Sequence, residues 1–103
     1  MIGTIMVNGN ELSSETLRSK MKLYDLPEYM VEGMINYLFH RIPPGSFMCA
    51  VLTNDLSGAV QQADDLNIHC IPNYIKFLYN EVPGNCWGGV EKVESWLKKR
   101  EIK

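Results

Sequence analysis

The side chains of this chain that could do chemistry are few, and Arg41 comes first among them. From Leu23 to Glu91 there are eight acidic residues and only two basic ones, Arg41 and Lys76. Arg41 follows Tyr37 by four residues, so it lies near the apolar stripe of a helix, and it precedes the breaker run Pro43-Pro44-Gly45. A new helix starting at Ser46 presents unpaired N–H groups and a partial positive charge. Arg41 and that N-terminus together can hold a phosphate or carboxylate. The competing reading is structural: Arg41 pairs with an acid such as Asp55, or its head reaches solvent at the helix end.

Asn54 and Asp55 are the second unusual pair, because both are poor residues for a helix interior. On a continuous helix Asp55 adjoins the apolar stripe and must be paired or face a cavity. It is either a polar wall of a ligand pocket or, if the helix breaks there, a cap. Asn80 lies beside the apolar face of its helix rather than opposite it. Trp87 stands in the loop Cys86-Trp87-Gly88-Gly89. An aromatic side chain among glycines can stack on a flat ligand or plug the core beneath the loop. The candidate ligand-binding residues are therefore Arg41, Ser46, Asn54, Asp55, Asn80 and Trp87.

Catalytic constellations are weak. Ser46 has no His and Asp partners in motif context, and the chain lacks G-x-S-x-G, Walker A and HExxH patterns. Cys49 with His40 or His69 is the only conceivable dyad. The three cysteines, with no CxxC pair, argue against a disulfide framework and a zinc site. No catalytic residue, metal or cofactor is expected.

Five helices are needed to carry these residues. Residues 1–12 read as an extended arm or hairpin strand, with Ile2, Ile5 and Val7 alternating before Asn8-Gly9. Ser13 or Ser14 caps a first helix that ends near Tyr24. Pro27 opens a second, with Met30, Met34, Tyr37 and Leu38 inward. Gly33 on that face suggests close approach of a neighbouring helix. Ser46 caps the third. The series Met48, Leu52, Leu56, Ala59, Ala63, Leu66 favours one long helix over residues 46–67, and the competing reading breaks it at Asn54-Asp55 with Asp55 or Ser57 as a new cap. Pro72 opens the fourth, with Tyr74, Ile75, Leu78, Tyr79 and Val82 on the core side. The last buries Val90, Val93 and Leu97, with Trp96 beside them. Tyr29, Tyr37, Tyr74 and Tyr79 are assigned to the core, as are Met34, Leu38, Leu52, Ala63, Leu78 and Leu97.

The expected fold is mainly α: one domain over residues 1–103, an extended arm at 1–12 and a bundle of four to five helices with short Pro/Gly loops at 13–103. The chain has 103 residues, enough for one modest core. No apolar run is long enough to cross a membrane, and residues 1–12 lack the pattern of a secretory signal, so a cytoplasmic location is expected. With a net charge of −2 and half of the ten cations packed into residues 92–103, there is no basic stripe for duplex nucleic acid.

The residues Ile42-Pro43-Pro44-Gly45-Ser46-Phe47, Ala50-Val51-Leu52, Asn54-Asp55-Leu56, Leu78-Tyr79-Asn80 and Cys86-Trp87-Gly88 carry a resemblance. Over roughly residues 29–97 the chain resembles a group of small, uncharacterised proteins of bacteriophages and prophages. The first 25 residues take no part. The resemblance implies a phage-associated accessory protein in the host cytoplasm, of the kind that acts on host enzymes, host defence proteins or their nucleotide signals. It assigns no residue a role. The first expectation is capture of a small anionic or nucleotide-like molecule, and the alternative is docking on a host protein. A pocket containing Arg41, Asp55 and Asn80 favours the first, and an exposed apolar patch favours the second. An enzyme is a distant third, and self-association is left open.

Overall fold

The computed structural model describes residues 4–98 except Asn8. Strands β1 (Ile5–Val7) and β2 (Asn10–Leu12) form an antiparallel hairpin in which Ile5 faces Leu12. Six helices follow: α1 (Ser14–Leu23), α2 (Val31–His40), α3 (Ser46–Leu52), α4 (Leu56–Gln62), α5 (Ile71–Glu81) and α6 (Val90–Lys98). Short 3-10 turns at Glu28–Met30 and Asn67–His69 lead into α2 and α5. The chain is mainly α. Helix α1 packs on α2 and α5, and α3 packs on α4 and α5.

Local chemistry sets the ends of these elements. The Ser13 hydroxyl accepts the Thr16 N–H at the start of α1. At its end Asp25 turns left-handed at φ 59°, and Leu26 N–H reaches back to Met21 O. That is the Schellman pattern. Gly45, not Ser46, is the N-cap of α3, and no side chain caps that end. Ser46 is therefore an exposed first-turn residue rather than the cap.

The long helix over residues 46–67 does not form. Asn54 is left-handed at φ 67°, its N–H bonds Val51 O, and the Asp55 N–H bonds Ala50 O at 2.8 Å. This second Schellman closure satisfies the last carbonyls of α3 and turns the chain. Asp55 then caps α4 by accepting the Gly58 N–H at 3.0 Å. A Cβ on Gly58 would collide with that carboxylate. A 4-4-3-4-3 apolar series cannot reveal this turn, because two short helices in sequence repeat the same spacing. The split raises the helix number from the expected four to five to six.

The core holds Leu17, Met21, Met34, Leu38, Leu52, Tyr74, Phe77 and Leu78, all at 0% exposure. Buried polar groups are paired: Tyr37 OH donates to Cys86 O, Tyr74 OH donates to Asn67 Oδ1, and Trp96 Nε1–H donates to Tyr37 O. Four core assignments are only half met or fail. Ala63 and Leu97 are half-buried, while Tyr29 and Tyr79 are exposed. Leu56, Leu66 and Val90 also face solvent. Gly33 is exposed, with nothing within 4 Å of a Cβ built on it, so close helix packing does not explain it. No described helix is long and apolar enough to cross a membrane.

Candidate functional site

The six candidate residues fall into four places. Arg41 ends α2 in a left-handed conformation at φ 57° and donates from Nη1 to Leu38 O at 3.0 Å. Its guanidinium lies over the Trp96 ring, 3.6 Å from the centroid. Burial among these groups lowers its pKa from the ordinary arginine value. Arg41 and Asp55 form no ion pair: among the described residues the pairs are Arg18–Glu32 and Lys20–Glu81. Asn80 is exposed on the other side of α5, where its Nδ2 donates to Tyr24 OH at 3.4 Å. Tyr24 OH in turn donates to Glu81. Ser46 lines a separate cleft of about 280 Å³ between the starts of α2 and α3, with Tyr29, Met34 and Met48.

Only Asn54, Asp55 and Trp87 come together. The α3–α4 corner and α5 enclose a cleft of about 190 Å³, walled by Val51, Asp55, Leu56, Ala59 and Ile71. A second cleft of about 360 Å³ runs on between α5 and the loop before α6, past Tyr79, Trp87, Gly88 and Lys92. Asn54 and Ile75 line both, so the two clefts meet end to end. The loop is held in place because the Gly88 N–H donates to Leu52 O at 2.7 Å. Gly88 has φ 104°, a conformation that suits glycine. Trp87 is half-buried and packs against the core, so it serves as plug and wall together.

The groove is apolar along most of its length. Ile71, Ile75 and Tyr79 recur every four residues on the open side of α5, while Tyr74, Phe77 and Leu78 face the core. Tyr79 is 79% exposed and Leu56 is 68% exposed. The sequence places Tyr79 in the core and Leu56 in a buried stripe, and both are exposed, whereas Ile75 is half-buried against the core as expected. The signal that distinguishes them is breadth. Helix α5 carries apolar residues at 71, 74, 75, 77, 78 and 79, wider than the single stripe a surface helix buries. Lys92 was missed because only the loop geometry brings it to the groove.

Polar chemistry in the groove is sparse. The Asp55 carboxylate is already engaged as a cap. Lys92 Nζ makes one long contact, 3.5 Å to Gly84 O, and no described carboxylate pairs with it. No hydrogen bond links Cys49 to His40 or His69 among the described residues. Burial pushes the Cys70 thiol above its ordinary value, which disfavours the thiolate that a nucleophile needs. Among the described residues no group of three His, Cys, Asp or Glu side chains is arranged to hold a metal ion.

No family model matches the chain, and no curated protein or solved structure matches it.

Proposed function

We propose that this protein is a docking module, and that the groove between α4 and α5 receives the apolar face of a helix from a partner protein. One observation carries this reading. Exposed Tyr79 and Leu56 flank clefts floored by half-buried Ile71 and Ile75, although the same helix buries a full core face behind them. The eight helical steps from Ile71 to Tyr79 give a track about 12 Å long. Uncovered apolar surface of this kind costs solubility unless something binds it. The groove walls are helices whose backbone groups are already paired. They offer no edge for strand pairing, and a partner helix needs none. Exposed Tyr and half-buried Trp are also the side chains that most often dominate binding energy at interfaces.

Capture of a small anionic or nucleotide-like molecule takes second place on this reading. Its lead residue, Arg41, lines none of the three clefts and is engaged by Trp96 and Leu38. Asn80 faces away from Asn54 and Trp87, towards Tyr24. Following the resemblance of residues 29–97, the partner is sought among bacterial host proteins.

Site-specific photo-crosslinking in bacterial cells tests the proposal. A benzophenone side chain at Tyr79 should give discrete protein adducts, and the same group at Leu23, equally exposed on α1, should not. Leu56→Asp in the Tyr79 background should abolish them. Adducts no more abundant at Tyr79 than at Leu23 would sink the docking reading. A small-molecule mass retained by the intact protein in native mass spectrometry, and lost with Trp87→Ala, would put ligand capture back in first place.

A further inference from the structure

We infer that the partner helix carries an acidic side chain one turn from an aromatic one, and that this pair seats at the Lys92 end of the groove. The inference rests on the docking reading and names the chemistry of the occupant. The groove is not uniform along its length. Its Leu56 end has a carboxylate, Asp55, one of whose oxygens accepts the Gly58 N–H. Its other end has Lys92, the only cation among the described residues that line either half.

Three features aim Lys92 at an incoming ligand. The Gly88 N–H bond to Leu52 O ties the loop to the end of α3, so Trp87 and Asn54 form one wall. The Lys92 ammonium lies beside the left-handed Gly88, where an added Cβ would be in van der Waals contact with Nζ at 3.7 Å. The ammonium itself has only a long carbonyl contact and no described carboxylate partner. An ammonium has three donors, and an acid from a partner would supply the missing counter-charge.

The aromatic half follows from Tyr79 and Trp87, which line the same cleft. A ring entering between them meets an edge or a face on both sides, the arrangement aromatic pairs prefer. The cleft volume of about 360 Å³ accommodates one such side chain together with a carboxylate arm. A basic residue there would face the exposed Lys92, and like charges so placed repel. The groove therefore selects its partner by charge at one end and by apolar shape along the rest.

The test is a displayed library of random 16-residue peptides selected on the immobilised full chain. Parallel selections use Lys92→Glu and Leu56→Asp. Lys92 and Leu56 are both exposed, so each variant should fold, and a thermal melt checks this before selection. Peptides recovered on the unaltered chain should be enriched for Glu or Asp three or four positions from Phe, Tyr or Trp. On Lys92→Glu the enrichment at that position should switch to Lys or Arg. Reversing the acid in a recovered peptide should weaken binding about five- to tenfold, as expected for replacing an exposed attraction with a repulsion. Peptides that bind the chain, fail on Leu56→Asp and show no charge preference would overturn this inference and leave the docking reading standing. If Leu56→Asp recovers the same peptides as the unaltered chain, or if no peptides are recovered at all, the docking reading fails, and the inference with it.

Discussion

Arg41 is stacked on Trp96: its guanidinium carbon lies 3.6 Å from the ring centroid, while Nη1 donates to Leu38 O. The same indole donates from Nε1 to Tyr37 O. The α2–α6 seam is thus closed by a planar cation lying on a ring whose own donor is anchored to the helix that Arg41 ends. Planarity and weak hydration suit arginine to this place better than lysine.

Arg41→Ala should therefore lower stability by about 0.5–2 kcal/mol, the span for cation–π contacts from exposed to desolvated sites. Arg41→Lys should recover only part of the loss. Urea titration reads both, and crosslinking from Tyr79 should persist in each variant. If Arg41→Ala left stability intact but abolished crosslinking, Arg41 would belong to the functional surface after all.

Asn54 owes its place to a left-handed backbone. Asn54→Gly should be neutral or slightly stabilising, because glycine enters that region without a Cβ penalty. Asn54→Ala should cost about 1 kcal/mol, the lower part of the left-handed penalty. Equal stabilities in thermal melts would mean that α3 and α4 are not separated by this turn in solution.

Two helical glycines should respond oppositely to alanine. At Gly33 the new methyl meets open space, so Gly33→Ala should gain about 0.5–1 kcal/mol from helix propensity. At Gly58 it collides with the Asp55 carboxylate, and the lost cap offsets the propensity gain. Gly58→Ala should therefore bring no gain, and a chemical denaturation series compares the two directly.

Tyr29 and Asp64 should give stability a pH signature at both extremes. The Tyr29 hydroxyl donates to Asp64, which raises the Tyr29 pKa from 10.0 to about 12 and lowers that of Asp64 below 3.8. Asp64 also accepts the N–H groups of Leu66 and Asn67. For Tyr29 the folded state favours the neutral form. Its contribution is complete below pH 10 and is lost as pH rises towards about 12. For Asp64 the folded state favours the ionised form, so its contribution holds above pH 3.8 and fades as pH falls below it. Tyr29→Phe should flatten the alkaline limb of a melting-temperature profile. An unchanged alkaline limb would rule out this bond as its source.

Leu52 and Leu78 have no exposed surface, and each should cost about 2–5 kcal/mol as alanine. Leu56→Ala should cost little, since that side chain already faces water. A large loss at Leu56 in a denaturation curve would mean that the groove is covered in the native protein.

Helix content, the Pro and Gly breaks, the Ser13 cap and the buried residues Met34, Leu38, Leu52, Tyr74 and Leu78 all followed from local preference and period. Those forces act over a turn or two and depend only on neighbouring residues. What required the tertiary structure was every decision between two equally apolar faces. Tyr74 and Tyr79 have the same character and lie on one helix, yet one is enclosed against Phe47 and the other stands in solvent. The difference is made by α1 and α3 covering one side of α5 and not the other. Arg41 is the same case: spacing placed it beside an apolar stripe, but only the arrival of Trp96, far along the chain, decided that its charge would be held by a ring. Lys92 and Trp87 reached Asn54 through long-range bonds that fix the loop before α6, from Gly88 to Leu52 and from Tyr37 to Cys86. Pairings of this sort cross long stretches of sequence, and no local periodicity encodes them.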